Sequence, residues 1–564
     1  FFMSNIPEKS EKAIKSAVIE ALGRAVAKGQ LAAEPIPDFK IEIPADRKKG
    51  DYATNAAMVS AKAFHMAPVK IAEIIKENLD LSDTYASSAE IAGPGFINFR
   101  LSPVFYSDIL ADISENGDSY GRSDFGKGKK IDVEFVSANP TGPMHIGNAR
   151  GGALGDCLAG VLSAAGYDVC REFYINDAGN QINKFGLSLE VRYLQLYKEG
   201  IEMPEDAYHG QDIVDHAKAF AEIHGDKFVD TDSDTRRKAL VDYALPLNIE
   251  GLERDLAKYR IKYDVWFKES TLHKSGDVKK IVDILTEKGH TYEQDGAIWF
   301  KAEQFGADKD FVLVRSNGVP TYVVPDIAYH YNKLVTRGFD TAVDVLGADH
   351  HGYVPRLKAA LKALSINPDR LKVVLMQMVR LVRNGEAVKL SKRSGKAITL
   401  VTLLDEVPID AARFIFNLRE PNTHCEFDLD LAVEQSSENP VYYVQYAHAR
   451  ICSILKNLAA EGISPKETSK KELDVLTCDE EIELIRHLGA LTGEITEAAA
   501  ALDPSKITKY AVELATLFHK FYNACRVRCD DEGLMYARLQ LCLCTKTVLK
   551  NVLEILKIDA PKTM

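Results

Sequence analysis

The sequence of 564 residues lacks the features that mark membrane and secreted proteins. No window approaches the roughly 18 uninterrupted apolar residues of a membrane-spanning helix, and Met3 is followed by the polar stretch SNIPEKSEK instead of a secretory signal. Cysteine is scarce, with nine residues and no CxxC pair. We therefore expect reduced thiols, a cytoplasmic location and no membrane partner.

The spacing of a zinc site is also missing. The four candidate ligands nearest the end of the sequence are Cys525, Cys529, Cys542 and Cys544. Their spacing matches no usual zinc finger. We expect no protein-bound zinc and no metal-ligating residue in the chain.

The chain has no excess of positive charge. It contains 70 Lys and Arg against 82 Asp and Glu, a net charge of −12. This net charge argues against a polycation that coats nucleic acid, but it is compatible with a local basic surface. Leu371–Leu400 is such a segment, with seven basic residues and one acidic residue.

The length predicts about three or four domains. Amphipathic helices and short strands in the first part predict an α+β N-terminal domain, and a strand–loop–helix–strand pattern from Lys130 predicts an α/β Rossmann-like domain with a parallel sheet. Apolar residues at helical spacing from about residue 410 predict an all-α C-terminal bundle. We place the domains at residues 3–115, 128–405 (with a helical insertion at about 183–300) and 406–564.

Two local patterns complete this picture. The Gly/Asp/Ser-rich stretch Asn116–Lys130 is the predicted linker. After the insertion, strands are predicted at AIWF, FVLVRS, TYVVPD, DTAVDVLG and LKVVLMQMV. The strand TYVVPD would end at Asp326.

The loop from Phe135 to Gly152, FVSANPTGPMHIGNARGG, is the first candidate for a functional site. It is neither GxGxxG nor GxxxxGK[ST], so a dehydrogenase or a P-loop ATPase is not indicated. His145 and Asn148 lie three apart across a helix start, where side-chain donors and the helix dipole favour a nucleotide phosphate. The alternative is a tight strand-to-helix turn whose glycines serve packing alone.

The second candidate is the basic stretch KLSKRSGK. Lysines are point charges on flexible stems, so Lys389 and Lys392 suit a loop that binds a polyphosphate. The alternative is a solvated basic loop. Together, HIGN after the first strand of the α/β domain and KLSKR after its last strand resemble the HIGH and KMSKS signatures of class I aminoacyl-tRNA synthetases. Asn148 departs from the second histidine of HIGH, since an amide donates hydrogen bonds but cannot become cationic.

Longer stretches resemble the arginyl-tRNA synthetase family over nearly the whole chain. They include AGPGFINF, EFVSANPTGPMHIGNARGGALGD, REFYINDAGNQI, TYVVPDIAYH, GADHHGYVPRLKAAL and NPVYYVQYAHARI. The resemblance implies an N-terminal additional domain that binds the tRNA elbow and a C-terminal anticodon-binding domain. It also implies arginyl-adenylate formation from ATP with Mg²⁺, transfer to a 2′-hydroxyl of tRNA(Arg), and adenylate formation that depends on bound tRNA. We expect a monomer.

The chemistry of the amino acid provides a separate test. A guanidinium is cationic and offers five planar donors, so a selective pocket needs carboxylates. Asp326 and Tyr322, four residues apart on a predicted strand, would face the same side, and Glu269 is a second carboxylate. The alternatives are a strand-end cap or salt bridge for Asp326 and a half-buried sheet position for Tyr322.

The resemblance assigns roles residue by residue. The guanidinium would be held by Asp326, Glu269 and Tyr322, and the α-ammonium and carboxylate by Ser137, Asn139, His350 and Glu134. The catalytic residues would be His145, Asn148, Lys389 and Lys392. ATP would also contact Gly147, Gly347, Asp349, Met378 and Ser391. The tRNA would contact Phe96, Asn98, Tyr442, Tyr446 and Arg450, although at least one tyrosine of Tyr442, Tyr443 and Tyr446 is expected in the bundle core.

Two other functions are compatible with parts of the sequence. One is another class I synthetase or a HIGH-type nucleotidyltransferase, from which the two-carboxylate pocket distinguishes this chain. The other is a non-catalytic RNA-binding relative, which would be expected to have lost His145, Lys389 or Lys392. All three are present.

Overall fold

The computed structural model describes residues 5–388 and 398–564. The first part of the chain is an antiparallel sheet covered by helices. Its elements are α1 (Ile6–Ala27), β1 (Ile41–Glu42), β2 (Tyr52–Thr54), α2 (Ala56–Ser60), α3 (Pro68–Asn78), β3 (Ala86–Ala92), β4 (Phe96–Leu101) and α4 (Pro103–Asn116). The strand order is β1-β2-β4-β3. In α1, Asn5 caps the first turn through Glu8 N at 3.2 Å, and Ile14, Val18 and Leu22 are buried along one face, as their spacing predicts.

The central domain is built on a parallel sheet. Its first elements are β5 (Lys130–Glu134), α5 (Ile146–Ala164), β6 (Asp168–Ile175), α6 (Asn180–Leu194), α7 (Gln211–His224), α8 (Ser233–Lys258), β7 (Val265–Lys268), α9 (Glu269–Ser275) and α10 (Asp277–Glu287). Helices α6, α7 and α8 pack around their own apolar cluster, which includes Phe185, Tyr193 and Phe220. They lie in the first part of the range predicted as a helical insertion, whereas β7 in the same range is a strand of the parallel sheet.

The remaining elements of this domain close the sheet. They are β8 (Thr291–Gln294), β9 (Ala297–Phe300), β10 (Phe311–Val314), α11 (Val323–Tyr331), β11 (Thr341–Gly347), α12 (Val354–Ala363), β12 (Leu371–Met376), β13 (Val379–Arg383), β14 (Glu386–Ala387), α13 (Leu400–Glu406), α14 (Ile409–Phe416), β15 (Cys425–Asp428) and α15 (Leu429–Val433). The five-stranded sheet has the order β12-β11-β5-β6-β7, and each of its pairings is parallel. The Rossmann-like fold is therefore confirmed.

Three strand predictions differ from the structure. AIWF and FVLVRS are strands, but with β8 they form a separate antiparallel sheet, β10-β9-β8. TYVVPD is wrong as a strand, because α11 begins at Val323. Pro325 lies in the first turn, where no backbone N–H donor is required, and the buried residues Val323, Val324, Ile327 and Ala328 follow the helical period.

The last part of the chain is helical from Pro440 onward, as predicted, but β15, which lies in the range predicted as all-α, pairs with β13 of the central domain. The helices of this last part are α16 (Pro440–Ala460), α17 (Lys470–Leu473), α18 (Asp479–Gly489), α19 (Leu491–Ala501), α20 (Ser505–Ala524) and α21 (Glu532–Ile555). Helix α4 packs against α17, α18 and α21. The predicted linker is packed too, since Tyr120 is buried and its hydroxyl donates to Leu488 O at 3.2 Å. No helix within the described ranges is long and apolar enough to cross a membrane.

Candidate active site

A cavity of 1860 Å³ lies at the carboxyl edge of the parallel sheet. It is lined by residues that follow β5, β6, β7, β11 and β12 and by the starts of α5 and α11. Twelve residues proposed from the sequence line it: Glu134, Ser137, His145, Gly147, Asn148, Glu269, Tyr322, Asp326, Gly347, Asp349, His350 and Met378. Lys389, Ser391 and Lys392 lie outside the described residues. The carboxyl edge of a doubly wound sheet is where such folds bind ligands.

The end of β5 has a constrained backbone. Val136 and Ser137 have φ values of 69° and 40°, in the left-handed region that side chains other than glycine avoid. Ser137 Oγ donates to Glu134 Oε1 at 2.8 Å and accepts from Tyr174 N at 3.1 Å. These bonds fix Ser137 and Glu134 on the cavity wall, and such strain is concentrated at functional sites in proteins.

The start of α5 brings His145 and Asn148 to the cavity. Asn148 Oδ1 accepts a hydrogen bond from His145 N at 3.0 Å, so the amide caps the helix. A Cβ on Gly147 would meet nothing within 4 Å, which leaves open space over the first turn, whereas a Cβ on Gly152 would lie 2.8 Å from Ile261 Cδ1. The alternative that the glycines of this loop serve packing alone therefore fits Gly152 but not Gly147.

The described residues beside the basic stretch also reach this helix start. Thr399 pairs with His145 in an antiparallel bridge, and Leu400 N donates to Met144 O at 2.9 Å. Ile398 lines the cavity. The chain that follows KLSKRSGKA is thus fixed next to His145.

Two carboxylates face the other end of the cavity. Glu269 is the first residue of α9, is buried, and lies 3.3 Å from His273 Nε2. Asp326 lies in the first turn of α11, four residues after the exposed Tyr322, so the helical period and not the strand period brings them to one face. The half-buried position considered for Tyr322 is wrong, because its exposure is 71%.

Sequence reasoning missed two tyrosines beside these carboxylates. Burial, followed by the nearby Glu269 and Asp326 carboxylates, raises the pKa of Tyr174 above its usual value. Burial and Asp326 likewise raise the pKa of Tyr353, whose ring centroid lies 6.0 Å from that of Tyr322. Both line the cavity. REFYIN and HHGYVP contain them, but no periodic pattern separates them from core tyrosines.

Arg150 is a further residue that the sequence did not single out. It is fully buried in α5 and donates to three backbone carbonyls, Gln377 O at 2.6 Å, Glu420 O at 3.2 Å and Thr423 O at 3.0 Å. Gln377 lines the cavity next to Met378, whose side chain is 80% exposed. Arg150 therefore fixes the backbone of the loop that carries Met378, a predicted ATP contact.

Some proposed residues lie elsewhere. Asn139 is exposed and is not among the residues that line the cavity. Of the two tRNA candidates in β4, Phe96 is partly exposed, but Asn98 is buried and has little side chain to offer a nucleic acid.

In α16, the rings of Tyr442 and Tyr446 stack with centroids 6.3 Å apart, and the Arg450 guanidinium lies 5.6 Å from the Tyr446 ring. Tyr443 packs against the core, as expected of one tyrosine. Of the four cysteines considered from the sequence, Cys525 is the only one that belongs to a cluster of candidate metal ligands in the described part, and its partners there are Cys478 and Glu480.

The fold and the cavity, with a histidine at one helix start and two carboxylates opposite, define a catalytic domain of the class I aminoacyl-tRNA synthetases. The family model for the class I (R) catalytic domain of tRNA synthetases matches residues 110–451. The arginyl-tRNA synthetase N-terminal domain matches residues 11–101, and the DALR anticodon-binding domain matches residues 444–564. The chain belongs to the arginyl-tRNA synthetase family.

Individual relatives agree with this assignment. The chain is 56% identical to the arginine–tRNA ligase of Caldanaerobacter subterraneus subsp. tengcongensis over 562 residues, which cover 100% of both chains. It is 53% identical to that of Acetivibrio thermocellus over 564 residues, again with complete coverage. The fold is similar to the arginyl-tRNA synthetase structure from Thermus thermophilus, with a TM-score of 0.75 and 21% identity over 98% of this chain and all of that one. The family and the enzyme class predicted from the sequence are confirmed.

Proposed function

We propose that the chain joins L-arginine to tRNA(Arg) in two steps at this cavity. In the first step a carboxylate oxygen of arginine attacks the α-phosphate of ATP, and pyrophosphate leaves. In the second step a hydroxyl of the terminal adenosine attacks the mixed anhydride, and AMP leaves. The main support is that Asp326, Glu269 and His145 open onto one cavity.

ATP occupies the end of the cavity formed by α5 and β12. The first turn of α5 offers free N–H groups and a positive dipole end to phosphate, and the absence of a side chain at Gly147 allows close approach. His145 and Asn148 bind phosphate and ribose, Gly347 and Asp349 lie on the ribose side, and the backbone at Met378 contacts the adenine. Lys389, Ser391 and Lys392, outside the described residues, complete the phosphate site.

Mg²⁺ would bind together with ATP at the phosphate end of the cavity. Mg²⁺ commonly keeps several waters and binds through substrate phosphates with few protein ligands. The described residues fit this, because their two clusters of three candidate metal ligands do not include His145 or Asp349. There it would supply positive charge that stabilises the leaving pyrophosphate.

Arginine occupies the opposite end. Asp326, Glu269 and Tyr322 hold the guanidinium, and Glu134, Ser137 and His350 hold the α-ammonium and carboxylate. Positioning supplies most of the catalysis, because the attacking carboxylate needs no activation by a nucleophilic side chain.

The tRNA contacts the two outer domains. The stacked pair Tyr442 and Tyr446 with Arg450 is a platform for unpaired anticodon bases, and Phe96 faces the elbow. We further propose that the enzyme is a cytoplasmic monomer whose adenylate step depends on bound tRNA.

The sharpest test is Asp326→Asn in ATP–pyrophosphate exchange with tRNA present. Loss of a charged acceptor in a desolvated site costs about 3 kcal/mol, so the KM for arginine rises about 100-fold while the KM for ATP stays within about twofold. L-Citrulline, which is neutral where arginine is cationic, serves as the matched ligand. Its inhibition constant changes little, because it makes no charged contact to lose. Equal increases in both KM values contradict the pocket assignment.

A further inference from the structure

A lysine that lies behind the cavity is connected to both ends of the arginine pocket by chains of contacts. Lys333 follows α11 in a π-helical turn, Asn332–Thr336, and has no exposed surface. Its Nζ lies 2.7 Å from Glu134 Oε2, 3.3 Å from Asp344 Oδ1 and 2.9 Å from Asp132 Oδ1. Lys333 does not line the cavity, but Glu134 and Asp344 do.

The register of the sheet concentrates negative charge at this point. Asp344 on β11 is paired with Glu134 on β5, which is paired with Glu172 on β6, so three carboxylates form a row across adjacent strands. Asp132 lies two residues before Glu134 and therefore on the same face. Burial alone lowers the pKa of Lys333, but Asp132, Asp344 and Glu134 raise it well above the usual value, and the ammonium stays charged.

One chain of contacts runs from Lys333 to the α-ammonium end. Glu134 Oε2 pairs with Lys333, and Glu134 Oε1 accepts from Ser137 Oγ at 2.8 Å. Ser137 in turn accepts from Tyr174 N. The Lys333 contact therefore selects one orientation of the Glu134 carboxylate.

A second chain of contacts runs from Lys333 to the guanidinium end. Asp344 Oδ1 faces Lys333, and Asp344 Oδ2 lies 2.7 Å from His330 Nε2. The other ring nitrogen, His330 Nδ1, lies 3.2 Å from Asp326 Oδ1 and 2.8 Å from Asp326 O. The position of the Asp326 carboxylate therefore depends on Asp344, and that of Asp344 on Lys333.

We propose that Lys333 is a positioning residue for arginine, whose ammonium fixes Glu134 at one end of the pocket and, through Asp344 and His330, Asp326 at the other. This inference rests on the proposed roles of Glu134 and Asp326. It assigns no contact between Lys333 and the substrate. Its specific consequence is that loss of one buried charge weakens recognition at both ends of the amino acid.

The experiment compares Lys333→Met with Arg337→Met. Methionine keeps the length of the side chain and removes the charge. Arg337 is the matched control. It lies one turn further along the chain, and its Nη2 donates to Oε1 of Glu172, a carboxylate of the same row, at 2.7 Å. Neither Arg337 nor Glu172 lines the cavity. Both variants leave a buried carboxylate without its cation, so both lose thermal stability.

Two ligands, measured as competitors of arginine in the exchange assay, report on the two ends. L-Citrulline lacks the cationic guanidinium, and 5-guanidinopentanoate lacks the α-ammonium. The preference for arginine is the inhibition constant of the competing ligand divided by the KM for arginine. In Lys333→Met the KM for arginine rises about tenfold or more, and the KM for ATP stays within about twofold. The preference for arginine over each of the two ligands falls about tenfold. In Arg337→Met neither preference changes.

Asp344→Asn separates the two contact chains and is available if Lys333→Met does not fold. It interrupts the contacts toward His330 while leaving Lys333 against Glu134. The preference over citrulline falls, and that over 5-guanidinopentanoate is retained. The inference is overturned if folded Lys333→Met keeps both preferences, or if Asp344→Asn, used in its place, keeps both. It is also overturned if Arg337→Met loses both preferences as strongly as Lys333→Met does. If Asp326→Asn also leaves the KM for arginine unchanged, the pocket assignment itself fails, which is a separate result.

Discussion

Asp132 shows how burial controls a single ionisable group in this sheet. Its carboxylate is fully buried, and Lys333 Nζ lies 2.9 Å away, but neither oxygen has a partner with hydrogen-bond geometry. Burial raises its pKa to about 7; Lys333 opposes this, and the Glu172 and Glu134 carboxylates add to it. Cys170 is the neighbour on β6. Asp132 is thus protonated in the folded protein at pH values where it is ionised in the unfolded chain.

Asp132→Asn tests this pKa through stability. A folded-state pKa above the unfolded value contributes stability that is present at low pH and is lost as pH rises toward 7. Asparagine resembles the protonated carboxyl and has no such dependence. Between pH 5 and pH 7.5 the free energy of unfolding of the variant, relative to that of the native sequence, therefore increases by about 2 kcal/mol. The measurement is the difference between the thermal midpoints of the two proteins at each pH. A difference that is the same at both pH values contradicts the prediction.

At the scale of elements, helix α5 connects the two ends of the proposed ATP site. Its first turn faces the cavity, and one turn further Arg150 binds the carbonyls of Gln377, Glu420 and Thr423, which belong to the loops before β13 and β15. These loops have no strand partners at those carbonyls. A single guanidinium therefore fixes the loops at the proposed adenine end relative to the helix start at the proposed phosphate end.

Arg150→Met is expected to act on ATP and not on arginine. Three backbone carbonyls lose the Arg150 donor, the loop at Gln377 shifts, and the KM for ATP rises about tenfold while the KM for arginine stays within about twofold. Steady-state exchange with each substrate varied in turn measures both. Arg380→Met is the control, because Arg380 pairs with Glu426 on the exposed surface of β13 and β15 at 3.7 Å, and it should change neither KM. A larger effect on arginine than on ATP contradicts this role of Arg150.

Contacts between the outer domains hold the whole molecule together. Arg486 on α18 donates to Asp51 Oδ1 at 2.8 Å and to Asp51 O at 3.2 Å, and both side chains are nearly buried. Asp51 also accepts from Leu101 N and from the Tyr106 hydroxyl. The N-terminal domain is therefore fixed on the C-terminal bundle, although family models treat the two as separate units.

Arg486→Met is expected to destabilise this interface. It leaves the Asp51 carboxylate buried without its cation, at a cost of about 2 to 3 kcal/mol, which appears as a lower thermal midpoint. Arg47→Met is the matched control across the same interface, since Arg47 lies 3.8 Å from Glu483 in a more exposed pair and should cost less than about 1 kcal/mol. Equal losses in the two variants contradict the prediction.

The sequence by itself determined what depends on neighbours along the chain. The four strands β5, β6, β11 and β12, the helix start at His145 and the helices of the last domain follow from periodicity and capping, which act within a few residues. The misassigned TYVVPD shows the limit of this, because a short run of β-branched residues before a proline fits either a strand or a first helical turn. Burial against the sheet decides between them.

The tertiary structure alone decided which charges meet. Glu269 and Asp326 come from α9 and α11 and reach one cavity only because β7 and β11 lie in the same sheet. Lys333 and Glu134 are 199 residues apart, and nothing in the local pattern of YNKLV separates a buried ammonium from a solvated one. The energy of an ion pair depends on how far both groups are removed from water, and that is a property of the packed molecule and not of the residues along the chain.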